Sequence, residues 1–254
     1  MPASTMQKGF AAIIMAAGQG KRMNSDLPKV LHPLNGKPLI DWVVQSARAA
    51  GATKVVVVVG HGRDQVVKAL PPGVEFCVQD RQLGTGHAVL CAEPAIATNS
   101  VLVLCGDTPL IPVALLDELL ARHDSVTAAC TAIAARLPDP GKYGRMITGA
   151  DGRLSRIVEW KDASEAERAV NLVNSGIYAF HAGDLFHCLK KVRNDNAQGE
   201  YYLTDVVGML VRMGRPVELV VTDDPVAVMG INTPQELAEA ERLYAERAKR
   251  AAGR

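Results

Sequence analysis

The chain has 254 residues and a formal net charge of +1. It therefore carries no global field that would gather nucleic acid or a membrane surface, and any anion it binds must be held by local placement. The length suffices for one large or two small domains with a sizeable core, and few aromatics among many aliphatics suit a Val/Ile/Leu-rich parallel sheet covered by helices. The first ten residues read as an N-terminal extension without an apolar segment of signal-peptide length. The apolar run behind them is too short to span a membrane. Five cysteines at wide spacings, an odd number with no CxxC, argue against a disulfide framework or a zinc site and for small buried hydrophobes in a reduced cytosol.

Residues 11–15 predict a buried strand that empties into a loop with Gly18 and Gly20, followed at once by Lys21 and Arg22, with Lys29 behind Pro28. Residues 38–51 predict a helix: Leu39, Ile40, Val43, Val44 and Ala47 fall on one face, and Gly51 stops it. The β-branched run 55–59 predicts a strand buried on both faces. A polar turn, a short helix ending near Leu70 and a strand over 74–78 follow. A helical stretch runs to Ala97, and the apolar run 101–105 ends in Gly106-Asp107. This alternation predicts right-handed βαβ units in a doubly wound α/β sheet.

The second half is less regular. A helix is expected over 115–123 and strands over 126–134, 154–159, 175–180 and 217–221. The alternation in 154–159 suits a mixed or antiparallel part of the sheet. There is no repeat, low-complexity tract or Pro/Ser-rich linker, which favours one compact unit with insertions. Thr233-Pro234-Gln235-Glu236 is a capping box with proline at the first helical position, opening a helix to about Lys249.

Several short stretches carry chemistry. Glycines admit backbone N–H groups close to phosphate oxygens, so the loop after the first strand is a candidate phosphate site, with Arg22 and Lys29 as cations; the alternative is a tight surface turn. It is neither a P-loop nor a dinucleotide fingerprint, since Met23 stands where the third glycine would be. Asp107, at the end of a central parallel strand, lies where open α/β sheets bind ligands. It is a candidate for Mg2+, which takes few protein oxygens, or else a turn aspartate. Asn232 is a candidate second oxygen ligand or a turn asparagine. Gln79, Gly84 and Thr85 offer amide and backbone groups to a base edge such as uracil, or form a strand-to-helix connection. Tyr143-Gly144-Arg145, Glu159 and Asn174-Ser175-Gly176 suit a sugar with hydroxyl and N-acetyl groups, or are turns and strand ends.

Taken together, AAGQGKRM, LPKVLHPLNGKP, QLGTGHA, GDTPLI, GKYGR, IVEWKDA, NSGIY, NAQGEYYLTD and the GIN before the last helix resemble, in order, the uridylyltransferase (pyrophosphorylase) domain of bacterial N-acetylglucosamine-1-phosphate uridylyltransferase. The resemblance covers nearly the whole chain. It implies a Rossmann-like nucleotidyltransferase fold with a mixed, mostly parallel sheet over residues 11–232, an irregular sugar-binding half, and a linking helix over 233–254. It implies Mg2+-dependent transfer of a uridylyl group from UTP to N-acetylglucosamine 1-phosphate in the cytoplasm, a step toward cell-wall and lipopolysaccharide precursors. By the same resemblance Met15, Ala16, Ala17 and Gly18 contact the nucleotide, as do Cys105 and Gly106. Gln79, Gly84 and Thr85 read uracil, Arg22 and Lys29 hold phosphates, and Asp107 and Asn232 hold the metal. Gly144, Glu159 and Asn174 meet the sugar.

Two departures stand out. Some members have tyrosine where Cys105 stands, so a ring contact near the nucleotide is expected to be missing. The family's left-handed β-helix with hexapeptide repeats is absent from this sequence, so acetyl transfer, an acetyl-CoA site and a trimer built through that domain are not expected of it. A naturally short uridylyltransferase and a chain cut at the linking helix both remain open. So do a cytidylyl- or thymidylyltransferase of the same fold and a non-catalytic nucleotide-sugar sensor. The nucleophile would be a phosphate whose second pKa is near ~6, so no general base is required, and His32, His61 and His87 are expected to be structural.

Overall fold

A computed structural model describes residues 9–252. Residues 1–8 of the expected N-terminal extension and the last two positions of the expected linking helix lie outside the described residues. In chain order the elements are β1 (Ala11–Ala16), β2 (Pro33–Leu34), β3 (Lys37–Pro38), α1 (Leu39–Ala49), β4 (Lys54–Val59), α2 (Arg63–Ala69), β5 (Glu75–Val78), α3 (Thr85–Cys91), β6 (Ser100–Cys105) and α4 (Val113–Ser125). The second half continues with β7 (Cys130–Arg136), β8 (Arg145–Thr148), β9 (Leu154–Val158), α5 (Glu165–Arg168), β10 (Leu172–His181), α6 (Ala182–Leu189), α7 (Thr204–Arg212), β11 (Val217–Thr222) and α8 (Pro234–Ala252). Among the described residues no helix is long and apolar enough to cross a membrane.

One sheet carries the fold, in the order β11-β7-β10-β6-β1-β4-β5, with β8 and β9 attached beside β10. β1 is parallel to both β4 and β6, and β4 to β5. β10 runs antiparallel to β6 and β7. The sheet is thus mixed and mostly parallel in its main path, as the motifs implied. The chain winds outward from β1 through β4 and β5, then returns to place β6 on the other side of β1. The crevice between β1 and β6 is the switch point at which such sheets bind ligands.

The alternation of side chains along β1 explains the double winding. Ala12, Ile14 and Ala16 face one side, where Ile40, Val43, Val44 and Ala47 of α1 cover them. Ile13 faces the other, in a core shared with Ala88 and Val89 of α3 and with Val206, Val207 and Leu210 of α7. A smaller apolar cluster of Leu34, Leu39, Leu110, Ile231 and Ala240, with Trp42, Leu237 and Tyr244 against it, docks α8.

Several boundaries differ from the sequence expectation. The helical stretch expected to run to Ala97 stops at Cys91 and gives way to a 3-10 turn at Glu93–Ala95, because Pro94 lacks the N–H a continuing helix needs and restricts the residue before it. The strand expected from residue 126 begins at Cys130. Val126 ends α4, and Thr127 takes a left-handed φ of 49° while its N–H caps Asp124 O. The glycine-rich stretch 141–152 contains β8, which pairs antiparallel with the next strand, β9, and at Arg145 with Val173 of β10. α6 and α7 were not anticipated, although Leu203, Val206, Val207 and Leu210 recur at helical spacing.

Ile14 is fully buried at the centre of the sheet. Ile14→Ala is expected to lower the unfolding free energy by about 2–5 kcal/mol through lost burial and a residual cavity, read from urea-induced unfolding.

Candidate active site

The register of β1 on β6 builds the site. Met15 pairs with Cys105, and the Gly106 N–H donates to Met15 O at 2.9 Å, so the glycine loop and Asp107 leave the sheet side by side. Gly20 turns that loop with a left-handed φ of 59°, and a Cβ there would fall 2.7 Å from Lys29 Cβ. Glycine is needed for both reasons, and its bare backbone lets the Lys29 stem pass. The Lys29 ammonium forms an ion pair with Asp107 Oδ2 and donates to Asn232 Oδ1 at 3.0 Å.

Asn232 reaches Asp107 from far along the chain through backbone and cap contacts. The Ile231 N–H donates to Asp107 O at 2.9 Å. Glu236 Oε2 accepts the N–H groups of Asn232 (2.6 Å) and Thr233 (3.0 Å), while Thr233 Oγ1 accepts the Glu236 N–H at 3.1 Å. The capping box expected from the sequence therefore also fixes the backbone of Asn232. Among the described residues no group of three or more His, Cys, Asp or Glu is arranged to hold a metal. Asp107 and Asn232 nevertheless converge on one cation, the Lys29 ammonium. Two hard oxygens fit Mg2+, which completes its shell with phosphates and water.

Two lobes open on either side of this point, and Cys105 and Asp107 line both. The first, of about 480 Å³, is lined by Met15, Ala16, Ala17, Gly18, Gln79, Gly84 and Thr85, together with Lys29 and Glu200. It gathers every residue expected at the nucleotide except Gly106, which is buried beneath it; a Cβ there would meet Met15 O at 3.0 Å. Gln79 is almost completely buried, and its Nε2 donates to Gly84 O and lies 3.0 Å from His87 Nδ1. His87 thus orients Gln79, a structural task. Gly84 adopts a φ of 112°, and a Cβ there would strike Tyr201 O at 2.7 Å. Thr85 starts α3, and its hydroxyl accepts the Leu203 N–H at 3.0 Å.

The second lobe, of about 710 Å³, brings together Gly144, Glu159 and Asn174. Asn174 N–H donates to Gly144 O at 2.9 Å. Asn174 Oδ1 accepts from Tyr178 Oη at 2.8 Å and from the Gly176 N–H at 3.1 Å, which fixes the side-chain amide. A Cβ on Gly144 would lie 3.6 Å from Glu159 Oε2. Glu159 Oε1 accepts from Thr204 Oγ1 at 3.1 Å. Desolvation raises the Glu159 pKa above the ordinary glutamate value, and the nearby Asp162, Asp205 and Glu200 add to the rise against the lowering Thr204 bond. Arg22 lines this second lobe rather than the first, alongside Asp107 and Asn232.

Of the other sugar candidates, Tyr143, Ser175 and Gly176 also line the second lobe, whereas Arg145 does not, and Arg145 and Ser175 carry bracing contacts. Arg145 is buried and donates to the carbonyls of Gly141, Tyr143 and Arg168, so it braces the loop that presents Gly144. The Ser175 hydroxyl donates to Ile133 O at 2.7 Å and accepts the Ile177 N–H, bridging an irregularity in β10. Cys105 Sγ lies 3.6 Å from Gly176 O, and desolvation pushes the thiol up to about 12. It is a small neutral wall between the lobes, with no ring to stack. Gln198 and Glu200, which line the second and first lobes respectively, received no role from the sequence. Their signal was a polar Asn/Gly turn placed directly before the helical run of α7.

Residues 12–175 match the MobA-like NTP transferase domain. The chain belongs to this family. The bifunctional protein GlmU of Pelobacter propionicus is 48% identical over 247 residues, covering 96% of this chain and 54% of the relative. GlmU of Shouchella clausii is 46% identical over 241 residues, covering 94% and 53%. GlmU of Geobacter metallireducens is 48% identical over 245 residues, covering 95% and 52%. The chain thus spans about half the length of the curated relatives it matches. A crystal structure of UDP-glucose pyrophosphorylase complexed with UDP-glucose superposes with a TM-score of 0.76 at 18% identity, over 94% of this chain and 99% of that one, which establishes the shared fold.

In this NTP transferase domain the raised Glu159 carboxyl has a consequence for stability. Where its pKa exceeds the unfolded value, the folded protein holds a proton the unfolded chain has lost, so stability falls as pH rises through that window. Glu159→Gln keeps an acceptor for Thr204 and removes the titration. The variant is expected to lose less stability than the wild type as pH rises from the ordinary glutamate pKa toward neutrality, measured by urea midpoints at a series of pH values.

Proposed function

We propose that this chain is a uridylyltransferase that joins UTP and N-acetylglucosamine 1-phosphate into UDP-N-acetylglucosamine, releasing pyrophosphate in the cytoplasm. One observation carries the reading: Asp107 stands on the wall shared by two lobes, with Asn232 and Lys29 on it. Two substrates in those lobes meet at one carboxylate, which is the arrangement a transfer between two phosphates needs. The order of motifs supports the choice of UTP and of an N-acetylated amino sugar, and the family supports nucleotidyl transfer. On this reading residues 11–232 are the transferase domain and 233–254 a linking helix.

A phosphate oxygen of the sugar phosphate attacks the α-phosphorus of UTP. A new P–O bond forms there as the bond to the β-phosphate oxygen breaks, and the electron pair leaves with pyrophosphate. The nucleophile is already ionised near neutrality, its second pKa being about 6, so no side chain must take a proton. Catalysis rests on positioning and charge stabilisation. The backbone of residues 15–18 and the Gln79–Gly84–Thr85 wall hold the nucleotide. Glu159, Asn174 and the bare face of Gly144 hold the sugar. Lys29 neutralises phosphate charge at the meeting point, and Arg22 does so from the second lobe. Asp107 and Asn232 would hold Mg2+, which when bound supplies further charge neutralisation on the phosphates.

The deciding experiment is pyrophosphate release with four nucleoside triphosphates against several sugar 1-phosphates. UTP with N-acetylglucosamine 1-phosphate is expected to lead; preference for another pair, or UDP-sugar binding without turnover, overturns the proposal. Asp107→Ala is expected to abolish turnover at ordinary magnesium. Lys29→Ala is expected to lower kcat/KM at least about tenfold, on the order of 1.4 kcal/mol. Glu159→Ala should raise KM for the sugar phosphate with little change for UTP.

A further inference from the structure

The segment between α6 and α7 has no regular structure where it passes over the site, yet it is closely held. Asn196 folds it: its Oδ1 accepts the N–H groups of Gln198 and Glu200, each at 3.1 Å, and its Nδ2 donates to Glu200 O at 2.6 Å. Gly199 makes the turn with a φ of 64°. The folded segment presents Glu200 to the first lobe and Gln198 to the second.

Both flanks of the segment are tied down. On the first-lobe side, Tyr201 N–H donates to Leu83 O (2.8 Å), Gly86 N–H donates to Tyr201 O (2.7 Å) and Leu203 N–H donates to Thr85 Oγ1 (3.0 Å). On the second-lobe side, both oxygens of Asp162 are used. Oδ1 accepts the Ala197 N–H at 2.8 Å, and Oδ2 accepts the Tyr202 hydroxyl at 3.0 Å. The same hydroxyl accepts from Gln198 Nε2 at 2.9 Å. Asp162 is in turn fixed to the sugar wall, since its N–H donates to Glu159 O at 2.9 Å. A hydrogen-bonded path therefore runs from the Gly84–Thr85 wall through this segment to Glu159.

We infer that residues 196–203 form a strap that couples the two lobes, with Asp162 as the positioning residue that anchors it on the sugar-phosphate side. The inference rests on the assignment of UTP to the first lobe and the sugar phosphate to the second. Asp162 lines neither lobe, so it acts through Gln198, Tyr202 and the strap backbone. An in-line displacement between two bound substrates demands tight relative placement. A strap sewn to both walls transmits the ordering of one substrate to the other.

Two measurements test this. Hydrogen exchange on the ligand-free protein needs no assumption about the reaction. Asp162→Ala is expected to speed exchange of the Ala197 and Gln198 amides at least about tenfold while leaving α3 unchanged; unchanged strap amides overturn the anchor. Calorimetry with a non-hydrolysable UTP analogue then tests the coupling. In the wild type the bound analogue is expected to tighten N-acetylglucosamine 1-phosphate at least about fivefold. Asp162→Ala should lose that tightening at unchanged analogue affinity, and Asp162→Asn, which retains an acceptor for Ala197, should recover part of it. Tyr202→Phe removes the hydroxyl's bonds to Asp162 and Gln198 but leaves the Asp162 contact to Ala197, and it should weaken the coupling. Tightening that is absent in the wild type, or that survives in Asp162→Ala, overturns the coupling. A wild type that binds neither ligand overturns the functional assignment instead, while the exchange result still decides the anchor.

Discussion

The parallel, in-register pairing of β1 with β6 is the constraint on which the rest depends. Because Met15 lies opposite Cys105, the glycine loop and Asp107 emerge at the same height from neighbouring strands. Winding outward on one side of β1 and returning on the other leaves the crevice open there, since no helix can cross it. Shifting the register would separate Lys29 from Asp107 and split the two lobes.

Around that crevice the fold meets opposite demands. The strands are continuous apolar runs sealed by helices on both faces, while the loops at their ends carry charge and glycine. Lys29, Asp107 and Asn232 hold one another in partly desolvated surroundings, where a lone charge would be costly and a paired one is ordered. The same logic applies to Glu159, whose carboxyl is desolvated but bonded to Thr204 at the start of α7. α8 belongs to this economy too: its capping box serves the helix start and the Asn232 backbone with one carboxylate.

Much of the fold was legible. The apolar face of α1, the β-branched run of β4 and the cap of α8 each obey a local rule strong enough to survive in the tertiary context. The failures have identifiable causes. β8 is only four residues long, and its pairing with β9 and β10 rather than any pattern of its own makes it a strand. Pro94 ended α3 early. The strand expected at Val126 lost its first residues to a left-handed turn at Thr127. For the candidate site, residues near glycine turns and strand ends could be singled out from the sequence, whereas Gln198 and Glu200 could not, because only the path of the strap brings them to the two lobes. Arg145 looked like a sugar contact in sequence, but burial and backbone partners make it a brace, while Ser175 braces β10 and lines the second lobe as well.

The sequence by itself determined the strand and helix alternation, the glycine loop with its cations and the order of motifs that points to a nucleotidyltransferase, since these depend on neighbours along the chain. The tertiary structure alone decided that Asn232 meets Asp107, that Arg22 faces the second lobe, that Gly106 lies beneath the cavity and that Asp162 anchors the strap. Each of these is a contact between segments distant in sequence, fixed by sheet order and register, and no local pattern encodes which strand end will stand beside which.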